Sequence, residues 1–367
     1  MRIKTFLALL SLVITVTSCT SIGPPAGAPQ PSAREPLVFY SWAGYMPQGI
    51  LDSYQKEYGV AIKYVSYDDQ DEALAELRAG QRQFDVAVLG DVHLAAAVNE
   101  GLLAELDYQN IPNFHNLGAN FRDLTNDPAN RCSIMIQWGT SGIIARTDRL
   151  VQPLTAWADL WNPAYAGRVG IWPYPREIIG ITLKSLGYSI NTEDPDELRA
   201  AADKLAQLRK NVYMLDPAAP TGAGSLLDDK SVMFFGWSFD AMEAQDELDT
   251  AVYVLPREGT ILWSDSVTVP ANSPHKQAAE QFINFLLRPD IGAQMVNEMW
   301  IPSPNEAARP FIKPEILNNP LVYPLSENLG EAEFYATVSA ETQKLYDQMW
   351  ARFLAQEGPV PDEPPVQ

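Results

Sequence analysis

Between Leu37 and Asn99 the sequence switches three times from a short β-branched or aromatic run to a longer amphipathic one. "LVFYSW" leads into "QGILDSYQKEYG", "VAIKYVSY" into "DDQDEALAELRAG", and "FDVAVLG" into "DVHLAAAVNEG". The short runs suit buried strands, and the longer ones, ending in glycine, suit helices. Strand–helix–strand alternation of this kind predicts a largely parallel sheet, because each crossover helix must cover one of its faces. Ligands of such sheets bind beyond the carboxyl ends of the strands. Two loops lie at such ends, one carrying Trp42 and Tyr45 and the other Gly90 and Asp91. They are expected to meet at one crevice.

A second α/β set is expected from about residue 143, after the strand "SIMIQWGTSGIIA". Its elements are a strand in "GRVGIW", a helix from about Arg176 to Gly187, and a helix over "DELRAAADKLAQLRKN". The last of these places Leu198, Ala201, Leu205 and Leu208 on one face at helical spacing. "SVMFFGWSFDAM" reads as a strand entering a helix start, and Arg288-Pro289 interrupts two later helices. A chain of 367 residues has room for two such domains.

Arg2 and Lys4 precede the apolar run "FLALLSLVITV", which is too short to span a bilayer and reads as part of a signal peptide over 1–18. Val16-Thr17-Ser18-Cys19 resembles a bacterial lipobox, whose cysteine carries the lipid anchor. Residues 19–35 then form a Pro/Ser/Gly tether, and residues 357–367 an acidic, proline-rich tail expected to be disordered. The expected location is the periplasm or the outer cell surface, with the membrane as a partner through Cys19.

Acidic residues outnumber basic ones 46 to 26, which argues against nucleic acid as a partner and suits a cationic ligand. With Cys19 lipidated, Cys132 has no disulfide partner and is expected to be a buried structural thiol. His93, His115 and His275 are scattered without metal-ligand spacing, and no P-loop, GxSxG or HExxH occurs. No cofactor, metal or catalytic residue is expected.

The stretches "FYSWAGYMPQGIL", "FDVAVLGD", "SIMIQWGTSGI", "TAWADLWNPAYAGRVGI", "FFGWSFDAM", "PREGTILWSDSVTVPANSPHK" and "PSPNEAARPFI" together resemble the spermidine/putrescine-binding substrate-binding proteins of bacterial ABC transporters. The resemblance runs from about residue 36 to 350. It implies a two-lobed α/β fold of the type II periplasmic-binding-protein kind, each lobe a mostly parallel sheet flanked by helices, with crossover hinge strands. On that basis lobe 1 is expected over 36–142 and about 266–309, and lobe 2 over 143–265 and about 310–356.

The resemblance also implies a polyamine-binding set comprising Trp42, Tyr45, Asp91, Glu177, Trp237, Asp240, Trp263 and Asp265. Elementary chemistry supports these residue types. Aromatic faces bury methylenes and attract cations by about 0.5–2 kcal/mol each, while carboxylates pair with ammonium groups that would otherwise be buried unpaired. Asp91 has two readings, as a substitute carboxylate or as a cap of the helix after it. Gly90, Tyr174 and Ile301 depart from the family's pattern and bear on which ligand fits. The implied function is capture of putrescine or spermidine by a monomer that delivers it to ABC permease subunits. The alternatives are a binding or sensory protein of the same fold for another organic cation and, from a different class, an exported glycosidase. If Cys19 is the acylation site, Cys19→Ser should move the protein from the detergent phase to the aqueous phase in a partitioning assay. Equal partitioning of the two proteins would count against a lipoprotein.

Overall fold

In the computed structural model, which describes residues 35–216, 219 and 221–355, the expected alternation is realised. Strands β1 (Leu37–Trp42), β2 (Ile62–Tyr67) and β3 (Val86–Gly90) run parallel, and α1 (Gln48–Tyr58), α2 (Gln70–Ala79) and α3 (Asp91–Asn99) follow them in turn. The long β4 (Ser133–Arg146) leads to a second parallel set. That set contains β5 (Val169–Ile171), α4 (Pro175–Lys184), α5 (Pro195–Leu208), β6 (Val212–Met214), α6 (Ala223–Leu227), β7 (Met233–Trp237) and α7 (Ser238–Glu247), with β5 between β6 and β7. After β8 (Ala251–Val254), β9 (Ile261–Thr268) returns to the first set. The chain continues through α8 (Lys276–Leu286), α9 (Pro289–Met299), α10 (Pro314–Leu317), α11 (Ser326–Leu329), β10 (Glu333–Phe334) and α12 (Ala340–Ala355).

Strands β4 and β9 join the two sets. They pair antiparallel from Ser133 opposite Thr268 to Ser141 opposite Ile261, with an irregularity between Met135 and Gln137. One flank of β9 adds β3, and the far end of β4 adds β7 and β8. The described strands therefore form one hydrogen-bonded sheet in the order β2-β1-β3-β9-β4-β7-β5-β6, with β10 on β9 and β8 on β4. This is the expected two-lobed arrangement with crossover strands.

Local chemistry explains the element ends. Asp69 caps α2 by accepting from the Asp71 N–H at 2.6 Å, and Asp194 caps α5 in the same way. Gly59 and Gly80 close α1 and α2 in the left-handed conformation, at φ 69° and 61°. On α5 the buried residues are Leu198, Ala201, Leu205 and Leu208, the face expected from periodicity.

One core gathers Phe39, Tyr54, Phe282 and Phe285 beneath β1 and β9. Another gathers Trp157, Phe234, Phe235, Tyr346 and Phe353 beneath β5 and β7. Ile312, Ile316 and Val322 pack with Ala293 and Val296 of α9. Cys132 is a buried free thiol, its pKa raised by burial. The expected signal peptide, Cys19, most of the tether and the acidic tail lie outside the described residues. Among the described residues, no helix is long and apolar enough to cross a membrane.

Phe282 stands edge-on to Phe39 at 5.7 Å and to Tyr54 at 4.8 Å between ring centroids, and is fully buried. Phe282→Ala should destabilise the protein by about 3–5 kcal/mol, through lost burial and the cavity left behind. Equilibrium unfolding in urea measures this, and a loss below about 1 kcal/mol would mean that the core collapses around the gap.

Candidate functional site

The carboxyl ends of β1, β3, β5 and β7 converge on the β4–β9 crossover, and the candidate residues collect there. Along β9, side chains alternate between faces, so Trp263 and Asp265 share one face while Ser264 takes the other. Trp263 lies over the neighbouring strand at Gly139, its register partner. A Cβ built on Gly139 would sit 2.3 Å from Cζ2 of Trp263, so glycine is what lets the indole lie flat against β4. Asp265 is opposite Gly90, and a Cβ on Gly90 would meet Nε2 of Gln70 at 2.7 Å. Gln70 fills that space and accepts the Gly90 N–H at 2.8 Å. The departure at Gly90 is thus occupied by a glutamine from α2.

Trp42 ends β1 and tilts against Tyr67 at 4.9 Å, while Tyr45 is buried in the loop that follows. Both face Asp265 and stabilise its charged form, although the Tyr45 hydroxyl has no hydrogen bond of ordinary geometry. Asp265 is only 7% exposed, and burial raises its pKa to about 6 against the pull of Tyr45, Trp42 and a more distant His93.

Asp91 begins α3, but the cap position belongs to Gly90 and no side-chain cap bond forms there. Its carboxylate instead binds across to the crossover strand. Oδ2 accepts the Ser264 N–H at 2.7 Å, and Oδ1 accepts the Ser264 hydroxyl and the Asn126 amide, the latter at 2.9 Å. Of its two readings, the capping one is therefore wrong, because both oxygens are engaged away from the helix. Burial raises Asp91 to about 8 despite the Ser264 bonds, with the charges of Asp265 and Glu177 adding to the rise.

On the other side of the crossover, Glu177 lies in the first turn of α4 and accepts the Tyr335 hydroxyl at 2.6 Å. Burial raises it to about 7, against the Tyr335 bond and Arg176. Asp240 is fully buried in the first turn of α7, where its Oδ2 accepts the Trp237 N–H at 2.9 Å and its Oδ1 has no partner. It too is raised by burial, to about 7.

Trp237 is the centre of an aromatic wall. Phe239 stacks on it at 5.6 Å and 17°, Trp172 at 6.1 Å and 25°, and Tyr174 tilts against it at 5.9 Å. Phe239 continues the wall edge-on to Trp263 at 6.3 Å. Tyr174, the second departure, is raised first by burial and then by the charges of Asp69, Glu177 and Asp240. It therefore stands among carboxylates from both lobes. At the third, Ile301 follows Trp300, which closes α9 with φ 58° and is 36% exposed.

The eight candidates thus fall into an Asp265 group with Trp42, Tyr45 and Trp263, an Asp91–Glu177 group, and an Asp240–Trp237 group. Sequence reading missed Tyr335, Phe239, Gln70 and Ser264. Tyr335 and Phe239 are large aromatics, the residue type already sought; Tyr335 stands in no motif, and Phe239 was passed over between Trp237 and Asp240 in "FFGWSFDAM". Gln70 and Ser264 act through backbone geometry that no pattern marks. The basic side chains near these acids are Arg176 and His93, and both are engaged elsewhere. Arg176 donates to the Ile190 carbonyl at 2.8 Å and to Asn191 at 3.0 Å, and His93 contacts Asp71 at 3.0 Å. Three buried acids and the half-buried Glu177 beside aromatic faces favour positive charge.

Comparison with known proteins is consistent with that geometry. A match to the family described as bacterial extracellular solute-binding protein covers residues 49–322. The spermidine/putrescine-binding periplasmic protein of Escherichia coli is 33% identical over 324 residues, 87% of this chain and 91% of its own. A putrescine-binding periplasmic protein of Pseudomonas aeruginosa is 28% identical, over 92% of this chain and 97% of its own. Among solved structures, the spermidine/putrescine ABC transporter substrate-binding protein of Streptococcus pneumoniae superposes with a TM-score of 0.78 at 27% identity. That match covers 88% of this chain and 99% of the other.

The raised acids set a pH dependence in the ligand-free protein. An acid whose folded pKa exceeds its unfolded value binds more protons when folded, so stability falls as pH rises from the unfolded pKa through the folded one. Melting temperature should therefore drop between about pH 4 and pH 8, the interval spanned by the shifts of Asp265, Glu177, Asp240 and Asp91. Asp265→Asn should flatten the lower part of that slope and raise the melting temperature at pH 8. A melting temperature that climbs over the same interval would show these acids to be better solvated than their burial implies.

Proposed function

Because the chain belongs to the bacterial extracellular solute-binding proteins, we propose that it captures a polyamine, putrescine or spermidine, and delivers it to the permease of an ABC transporter. The observation that carries this reading is a set of four carboxyls, Asp91, Asp240 and Asp265 buried and Glu177 half-buried, beside an aromatic wall. Only a ligand with several cationic centres joined by apolar stretches matches such a lining. A single compact cation would pair with Asp265 or with Glu177 but not with both, and an acidic or neutral solute would pair with neither.

Each side chain has a distinct role in this reading. Asp265, with Trp42, Tyr45 and Trp263 around it, receives one ammonium group. The Trp237, Phe239 and Tyr174 rings cover methylenes. Glu177 receives a second ammonium, and Asp240 braces the Trp237 loop. Asp91, with both oxygens committed, ties α3 to β9 without a direct ligand bond. Capture involves no covalent chemistry. Lipidation at Cys19 would hold the monomer near its permease at the membrane, where the two lobes close on ligand around the β4–β9 crossover.

The second reading, a different organic cation on the same fold, is favoured by Gly90 with Gln70 behind it and by Tyr174 within the wall. Calorimetric titration with putrescine, spermidine, spermine and agmatine separates the two readings. Saturable heat with at least one is expected, and none with any of the four would sink the polyamine reading. Asp265→Asn should weaken the preferred polyamine by about 2–5 kcal/mol, since one buried ammonium loses its partner. Unchanged affinity would remove Asp265 from the site.

A further inference from the structure

Glu177 has a neighbour that ought to neutralise it. Arg176 precedes it in α4, and an Arg–Glu ion pair at this point would cancel the charge that a ligand cation needs. No such pair is present among the described residues. The Arg176 guanidinium instead donates to the Ile190 carbonyl and to Oδ1 of Asn191. Its carbon lies over two aromatic faces, 5.2 Å from the centre of the Tyr335 ring and 4.7 Å from that of Tyr346. Adjacent residues on a helix point in different directions, which permits this separation but does not enforce it on so long a side chain.

We propose that Tyr335 is a positioning residue of the cation site, its ring helping to hold Arg176 away from Glu177 while its hydroxyl anchors one oxygen of that carboxylate. This inference rests on the polyamine-binding reading above for its ligand, but on geometry alone for the residue's role. Tyr335 is 3% exposed, and the chain on both sides of it is fixed. Before it, Glu333 and Phe334 pair with Ile261 and Leu262 of β9. The Phe334 carbonyl accepts from Nδ2 of Asn191 at 2.9 Å, and after Tyr335 the Ala336 N–H donates to Oδ1 of the same asparagine at 2.8 Å. Lys184, almost fully buried, donates to the Glu331 carbonyl at 2.5 Å and forms an ion pair with Glu333. This strap ties α4, the crossover strand and Tyr335 into one unit, so the hydroxyl meets Glu177 at a set angle rather than by chance rotation.

The two parts of the side chain can be tested separately. Tyr335→Phe keeps the ring over Arg176 and removes the hydroxyl, whereas Tyr335→Leu removes both. The groups facing Glu177 are Tyr335, Arg176, Asp91 and Tyr174, and the phenylalanine variant alters only the first. A hydroxyl donating to a carboxylate favours its ionised form. Carbon-detected NMR of Glu177 in the ligand-free protein should show its titration midpoint rising by about one pH unit in Tyr335→Phe. Putrescine should then bind that variant about fivefold more weakly at pH 7 and about as tightly as the parent at pH 9, where Glu177 is ionised in both. Tyr335→Leu should weaken binding at both pH values, because Arg176 loses one of its two ring faces, which lets its charge move closer to Glu177. In a Glu177→Gln background, Tyr335→Phe should have no further effect on putrescine. An unmoved Glu177 midpoint, an equal loss of affinity at pH 7 and pH 9, or a full-sized effect in the Glu177→Gln background would each overturn the proposal. If the parent takes up no polyamine, the functional reading fails, and the NMR midpoint still decides the role of Tyr335.

Discussion

Everything in this molecule that concerns ligand depends on one antiparallel ladder, that between β4 and β9. Each parallel half-sheet is hydrogen-bonded to one side or one end of it, so neither half can be placed without it. The ladder is also part of the candidate site. Trp263 and Asp265 stand on one of its strands, and Gly139 on the other is bare so that the indole can lie across it. A rotation of one half-sheet against the other must be absorbed by twist in this pair. The irregularity between Met135 and Gln137 is where the regular pairing of β4 is already interrupted.

Around the ladder the protein concentrates a cost. Carboxylates withdrawn from water and left without resident cations destabilise the ligand-free fold, and the two α/β cores with their aromatic clusters offset that penalty. The penalty is what a cation relieves. Affinity for positive charge and strain in its absence are therefore two aspects of the same desolvation. The wall of Trp172, Tyr174, Trp237 and Phe239 contributes to both, since it excludes water from the acids and presents π faces in its place.

Much of this was legible in the sequence, and the reasons differ by element. The three strand–helix repeats between Leu37 and Asn99 emerged with boundaries close to those expected, because periodicity and terminal glycines agree there. The buried stripe of α5 was readable for the same reason. Trp42, Tyr45, Glu177, Trp237, Asp240, Trp263 and Asp265 could be singled out because the stretches that carry them resemble a known family, and Trp42 and Trp237 also end recognisable strands. Two-residue β10 could not be read, since so short a strand exists only through its partner β9. Tyr335 was hidden with it. Asp91 shows another limit: local sequence offers it the helix that it begins, whereas its partners Asn126 and Ser264 lie 35 and 173 residues away.

The raised acids carry one consequence for how uptake is accounted. A carboxyl that is partly protonated at neutral pH must lose that proton when an ammonium group takes its place. With ammonium groups at Glu177 and Asp265, as proposed above, capture would be an exchange, with cation bound and a fraction of a proton released at those two residues. Heat measured on binding would include the ionisation heat of whatever buffer accepts those protons. The same stoichiometry makes acidity of the surroundings a competitor of the solute, so a cell envelope that turns acidic would loosen the protein's hold on its cargo without any change in the cargo's concentration.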